Sequence, residues 1–187
     1  PVDAVALGEG EFVFPQLIAA LQRDRRRLGD VPNLIWRGAD GTFVRNERRM
    51  PAGRSMDDLP LPRRDLVARH RPEYFFLFDK PDTSVAASRG CPFHCNFCSV
   101  HEFYGGKTRQ MSAARVMEDL QTVPTRHVTF VDDNFLMNHQ RENELADRIR
   151  AAGWDMSFSM EARTDSIARR PELLRKWVDI GLYAVLL

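Results

Sequence analysis

The chain has 187 residues, 43% of them hydrophobic and 28% charged, so it is long enough to bury one full core or parts of two. Lysine and arginine total 27 against 26 aspartates and glutamates, and a net charge of +1 argues against a dedicated nucleic-acid surface. No apolar run approaches the roughly 20 residues that span a bilayer, and the start carries no signal-peptide pattern. The first and last residues run directly into apolar segments, Val2 to Leu7 and Tyr183 to Leu187, which read as cuts within a longer chain.

Val2 to Leu7 reads as a buried strand. The turn Gly8-Glu9-Gly10-Glu11 follows, then a helix from about Phe12 to Leu28 with Leu17, Leu21 and Leu28 on one face and Ile18 beside them. Strand, glycine turn and helix form half of a doubly wound unit, whose ligands lie beyond the carboxyl ends of the strands; turn chemistry alone also explains the glycines. Arg23-Asp24-Arg25-Arg26-Arg27 reads as the solvated end of that helix, where cations oppose its dipole. Asn33 to Arg37 and Thr42 to Arg45 read as a hairpin around Gly38-Ala39-Asp40-Gly41. Prolines at 51, 60 and 62 mark a linker, which divides the chain into 1–49, a linker over 50–80 and a second domain over 81–187.

Thr83 to Ser88 is the next expected strand. A helix runs from Ser112, its N-cap, to about Thr122, with Val116, Leu120 and Val123 on one face. The strand Val128 to Val131 ends in Asp132-Asp133-Asn134, and a helix from Gln140 to Ala152 carries Leu145, Ile149 and Ala152 in register and stops at Gly153. A third strand over Asp155 to Glu161 and a helix from Pro171 to Gly181 lead to a fourth strand at the end. Four short alternations predict an α/β fold of parallel strands with right-handed crossovers, half of an eight-fold barrel.

All three cysteines fall in Ser88-Arg89-Gly90-Cys91-Pro92-Phe93-His94-Cys95-Asn96-Phe97-Cys98, at the spacing Cys-x3-Cys-x2-Cys. Three thiolates at this spacing can ligate three corners of a cubane iron-sulfur cluster and leave one iron open to an exchangeable ligand. A zinc site completed by His94 or His101 is an alternative, and unrelated buried thiols are another. The odd count speaks against a disulfide framework. Clustered free thiols fit a reducing cytoplasm, and peripheral association with a membrane is compatible with the composition.

This spacing, with aromatic Phe97 just before the last cysteine, resembles the radical S-adenosylmethionine (SAM) enzymes. The resemblance implies a radical SAM partial (β/α) barrel and a 4Fe-4S cluster on Cys91, Cys95 and Cys98. SAM would bind the open iron through its amino and carboxylate groups, with the backbone near Phe97 facing its adenine. One electron, from a donor such as flavodoxin or ferredoxin, would cleave SAM to methionine and a 5'-deoxyadenosyl radical. The turn Gly8-Glu9-Gly10-Glu11 and the phrase Asp57-Asp58-Leu59-Pro60-Leu61-Pro62 resemble the subgroup with an N-terminal cobalamin domain. Residues 1–49 would then be the C-terminal part of a Rossmann-like cobalamin-binding domain. The Asp-x-His-x-x-Gly cobalamin motif is absent and is expected upstream.

The strand tips carry the remaining candidates, because barrel chemistry collects at the carboxyl ends of strands. By resemblance, Asp132, Asp133 and Asn134 occupy the place where the family binds the SAM amino group; a helix-capping turn is the plainer reading and is compatible with it. In the third strand Met156, Phe158 and Met160 point one way, toward outer helices, and Ser157, Ser159, Glu161 and Arg163 the other, toward a cavity or, if this is a half-exposed edge strand, toward water. Arg163 is a candidate for the SAM carboxylate through paired hydrogen bonds, and Glu161 for the ribose or the methionine amine. Tyr104-Gly105-Gly106 and His101 would shape the outer wall. The stretch Cys95-Asn96-Phe97-Cys98-Ser99-Val100, with Asp132-Asp133-Asn134-Phe135 and Glu161-Ala162-Arg163, looks most like the hopanoid C-3 methylases, which implies cobalamin-dependent methylation of an unactivated carbon on a small-molecule or lipid substrate. Other radical SAM reactions, a cyclase or a methylthiotransferase, share the cluster; the latter calls for a second cysteine set that these residues lack. A zinc-binding structural module is the rival from a different class.

Overall fold

The computed structural model describes residues 2–24, 27–47 and 55–187, and divides at Arg54 into two units, Pro1–Arg54 and Ser55–Leu187. In the first, β1 (Ala4–Ala6), β2 (Leu34–Arg37) and β3 (Phe43–Arg45) form an antiparallel sheet in the order β1-β2-β3, beside helix α1 (Gly10–Arg23). The β2–β3 hairpin closes as expected, with the Gly38 amide donating to the Thr42 carbonyl at 2.8 Å and Gly41 at φ +83°. Asn46 braces the unit. Its Nδ2 donates to the carbonyls of Leu28 and Val31, and its Oδ1 accepts from the Trp36 indole.

Three expectations for this unit are corrected. The sheet is antiparallel where a parallel doubly wound arrangement was expected, because the left-handed backbone of Asn33 (φ 58°) turns the chain into β2 and its carbonyl accepts the Leu7 amide. Strand β1 is not buried. Val2 and Val5 are exposed, since β1 pairs on one edge only and its side chains carry little cover. Helix α1 ends at Arg23 because Asp24 is extended, and Leu28 sits instead in a 3-10 turn over Leu28–Asp30. The core-facing row is therefore Val13, Leu17 and Ala20, with Leu21 and Ile18 outside it. Of the basic run, Arg25 and Arg26 lie outside the described residues.

The second unit is built on a four-stranded parallel sheet in the order β4 (Asp82–Val85), β7 (His127–Phe130), β8 (Ser157–Glu161) and β9 (Leu182–Leu186). Helices α3 (Ala113–Gln121), α4 (His139–Ala152) and α6 (Pro171–Val178) connect its strands. Val128, Phe130, Phe158 and Met160 are buried in the core with Leu120, Leu145, Ile149 and Trp177 from the helices, but of the polar row expected to line a cavity Ser159 is fully buried, its hydroxyl paired with that of Thr129 at 2.8 Å. The Trp177 ring meets Phe130, Phe135 and Phe158 edge-on at centroid distances of 5.1–5.8 Å. The Ser112 hydroxyl caps α3 by accepting from the Arg115 amide, and Gly153 ends α4 at φ +64°. Leu145 and Ile149 face the core with Ala146, whereas Ala152 is exposed at the last turn. The sheet is open over these four strands.

Residues 55–80, expected as linker, belong to this unit. Asp57 accepts the Ser112 amide at 2.8 Å, the Arg115 guanidinium donates to the Leu59 carbonyl, and Arg64 pairs with Asp119 while donating to Thr122 at 2.8 Å. Met56 and Leu59 are buried. A proline-rich composition suits an extended, packed segment as well as a free one, so it could not separate the two. Residues 50–54 of the expected linker lie outside the described residues.

Candidate active site

Short strands β5 (Ser88–Arg89) and β6 (Arg109–Gln110) pair antiparallel and pinch off the loop that carries the cysteines. Gly90 opens it at φ +84°, and a Cβ there would lie 2.2 Å from the Lys107 carbonyl oxygen, so only glycine fits. A tight turn joins Cys95 to Cys98, whose amide donates to the Cys95 carbonyl at 3.1 Å, and the helix α2 (Val100–Tyr104) follows. Gly106 then passes so close to the His101 ring that a Cβ would come within 2.6 Å of it.

The three cysteines are free; Cys91 is buried, and Cys95 and Cys98 are half-buried. All three line one cavity of about 470 Å³ with Phe97, Asp133, Glu161 and Arg163, at the carboxyl ends of the sheet strands. Their spacing separates two chemistries. A single tetrahedral zinc, with Zn–S bonds of about 2.3 Å, draws its ligand atoms to within about 4 Å of one another. Among the described residues the one group of His, Cys, Asp and Glu whose ligand atoms all fall within 4.8 Å is His94, His101 and Glu102, without a cysteine. The three thiols therefore do not all lie within that distance of one another, nor does any set of three that joins them to a histidine, whereas a cubane distributes its thiolates over separate irons. The donor set fits such a cluster, of which Cys91, Cys95 and Cys98 would hold three irons.

The tip of β7 splits into two roles. The Asp132 carboxylate is 1% exposed and accepts from the Ala87 amide at 3.0 Å and from the Ser88 hydroxyl, and burial pushes its pKa up to about 6. It therefore braces the root of the cysteine loop and does not line the cavity. Asn134 is equally buried and accepts the Arg163 amide at 3.3 Å. Asp133 alone of the three faces the cavity, where it also accepts the Gly90 amide at 2.8 Å.

At the end of β8, the exposed Glu161 lines the cavity. Arg163 occupies the N-cap position of helix α5 (Thr164–Arg169), a helix not expected from the sequence. Its Nε donates to Asp165 at 2.9 Å and its Nη1 to the Cys95 sulfur at 3.1 Å, and its plane covers the Phe93 ring at 4.0 Å. The Asp165 carboxylate beside it holds the guanidinium above its ordinary pKa. The Arg-Thr-Asp sequence was the one local signal for this pairing.

A second buried pair lies beneath the loop. Arg141 donates to the Ala87 carbonyl at 2.7 Å and to Glu142 Oε1 at 2.7 Å. Glu142 is fully buried, and that burial pushes it up to about 7. Neither residue was read from the sequence, because a helix pattern does not distinguish a buried ion pair from a solvated one. Gly8, Glu9, Gly10 and Glu11 belong to the first unit, where Gly8 turns at φ +85° and Gly10 opens α1. Residues 1–54 contain no histidine that could serve as an axial imidazole for cobalamin, and a Cβ at Gly8 or Gly10 would meet open space instead of a closely fitted cradle.

A hopanoid C-3 methylase of Methylococcus capsulatus is 33% identical over 181 residues, covering 97% of this chain and 33% of its own length. An uncharacterized methyltransferase of Pyrococcus horikoshii is 32% identical over 169 residues, covering 88% of the chain and 36% of itself. The chain thus spans about a third of the length of these curated relatives. Its fold resembles that of the cobalamin-dependent SAM radical enzyme OxsB, solved with aqua-cobalamin and SAM bound, at a TM-score of 0.75 and 17% identity over 97% of this chain and 27% of that one. The Radical SAM superfamily model matches residues 85–187, from the last residue of β4 through the cysteine loop to β9, and the chain belongs to that superfamily.

Proposed function

We propose that the chain is part of an enzyme that reductively cleaves SAM at a 4Fe-4S cluster on Cys91, Cys95 and Cys98 and, with cobalamin held elsewhere in the longer protein, methylates an unactivated carbon of a hopanoid-type lipid. The observation that carries the cleavage is the set of three free thiols lining one cavity and not all drawn within 4.8 Å of one another. The similarity to a hopanoid C-3 methylase supports the methylation and its substrate class.

When bound, such a cluster supplies one electron that breaks a sulfonium carbon–sulfur bond of SAM, and cobalamin supplies the methyl group. The residues of this chain bind and orient. Phe97, 89% exposed at the rim, offers a flat apolar face beside Cys98 for the adenine. Asp133 offers a carboxylate to the SAM ammonium, and its bond to Gly90 keeps that carboxylate at the first cysteine. Glu161 reaches the same cavity from β8 and suits the ribose hydroxyls. A small electron carrier such as flavodoxin or ferredoxin would deliver the electron.

Anaerobic reconstitution with iron and sulfide tests the first step. Four irons per chain and formation of 5'-deoxyadenosine from SAM only under reduction are expected, and Cys98→Ala abolishes both. A colourless protein with one zinc refutes it. The second step is tested with the full-length protein, SAM, cobalamin and a hopanoid acceptor, where methylated product is expected only with cobalamin present.

A further inference from the structure

We propose that Arg163 is a positioning residue that raises the reduction potential of the cluster through Cys95, in place of the SAM-carboxylate role that its sequence position suggested. The inference rests on the reading of Cys91, Cys95 and Cys98 as cluster ligands.

The guanidinium is held at one nitrogen and on one face, and its residue is anchored through the backbone. Its Nε is committed to Asp165 at 2.9 Å, its face is stacked on Phe93 at 4.0 Å, and its own backbone amide is fixed to the buried Asn134 at 3.3 Å. Asp165 is itself steadied by Arg169 at 3.2 Å. A carboxylate takes a guanidinium best through two parallel N–H bonds from one edge, and the edge bearing Nε is already occupied. The remaining directed contact is Nη1 on the Cys95 sulfur at 3.1 Å.

A hydrogen bond from a cation to a ligand sulfur stabilises whichever oxidation state carries more negative charge on that sulfur. The cluster gains one electron from a low-potential carrier and its sulfurs gain negative charge, so Arg163 favours the reduced form. The Phe93 face screens one side of the guanidinium from water, which keeps the effect from being diluted.

The test is a redox titration of the anaerobically reconstituted full-length protein without SAM, read from the electron paramagnetic resonance signal of the reduced cluster. Arg163→Met is expected to lower the ratio of reduced to oxidised cluster at fixed potential at least tenfold, about 59 mV for one electron, while equilibrium binding of SAM changes less than about threefold. Arg163→Gln, neutral and polar, carries the same expectation if the methionine variant does not load iron. Should neither hold a cluster, Asp165→Asn leaves the cation uncompensated and is expected to raise the ratio at least threefold. An unchanged potential in the variant that is read overturns the proposal, and an unchanged potential with SAM binding weakened tenfold or more returns Arg163 to the carboxylate. A parent protein that binds no iron removes the underlying cluster reading instead, so the two failures are distinct.

Discussion

The Gly90 amide lies 2.8 Å from the Asp133 carboxylate, a bond that fixes the residue before the first cysteine to the tip of β7 across 43 positions of sequence. A hydrogen bond to a charged group of this kind contributes roughly 1.5–3 kcal/mol. Asp133→Ala is expected to lower stability by about that amount and to reduce iron loading, because the cysteine loop loses its tie to the sheet. Asp133→Asn keeps an acceptor oxygen and should restore most of the loading while still weakening SAM binding. Iron content and thermal unfolding of the two variants check this, and equal loading in both would show that the bond does not hold the loop.

Gly90 itself makes a sharper prediction. At φ +84°, with a Cβ position 2.2 Å from a backbone oxygen, alanine must both strain its own backbone and displace residue 107. Backbone strain of this type costs on the order of 1–3 kcal/mol before any displacement. Gly90→Ala is expected to unfold at lower denaturant by at least about 2 kcal/mol and to alkylate faster at Cys91, which is buried in the parent. An alkylation rate equal to the parent's sinks the prediction.

Much of this architecture is legible in local sequence. The apolar row of β8, the Ser112 cap and the Gly153 stop are short-range signals, and the structure carries each of them. What was missed is long-range. Asp132 was read as a site residue because it sits at a strand tip, yet its partners are Ala87 and Ser88, 45 and 44 positions away. Arg141 reaches Ala87 across 54 positions, and a helix pattern cannot announce that. The end of α1 at Asp24 was missed for a related reason: the Asn46 bonds to Leu28 and Val31 that shape the following segment come from beyond β3.

The same blindness to distant partners hid the packing of residues 55–64, and Arg64 tests it. Its side chain is 11% exposed and the Asp119 side chain 5%, so Arg64→Met leaves a carboxylate buried without its cation. Breaking such a pair costs roughly 3–5 kcal/mol, whereas removing both charges is often near neutral. Arg64→Met is expected to fall in that range, and Arg64→Met with Asp119→Leu to recover most of the loss. Denaturant unfolding of the single and double variants measures the coupling. A free linker would give a single-variant change within about 0.5 kcal/mol, and that result would return residues 55–64 to linker status.

The Arg141–Glu142 pair predicts how stability depends on pH. Burial raises the Glu142 carboxyl from its ordinary 4.5 to about 7, against the pull of Arg141, and the buried Asp132 adds to the rise. The folded chain therefore holds this proton more tightly than the unfolded chain. Stability linked to Glu142 is greatest below its ordinary pKa and is lost as pH climbs from about 4.5 through about 7, at no more than roughly 1.4 kcal/mol per pH unit. Glu142→Gln does not titrate and keeps an oxygen for the Arg141 guanidinium. Whatever its stability at low pH, the variant should gain on the parent as pH rises from about 5 to about 8, which unfolding midpoints taken side by side will read. A difference that is flat with pH, or that moves in the parent's favour, would mean that Glu142 stays ionised in the fold and that Arg141, not burial, governs its charge.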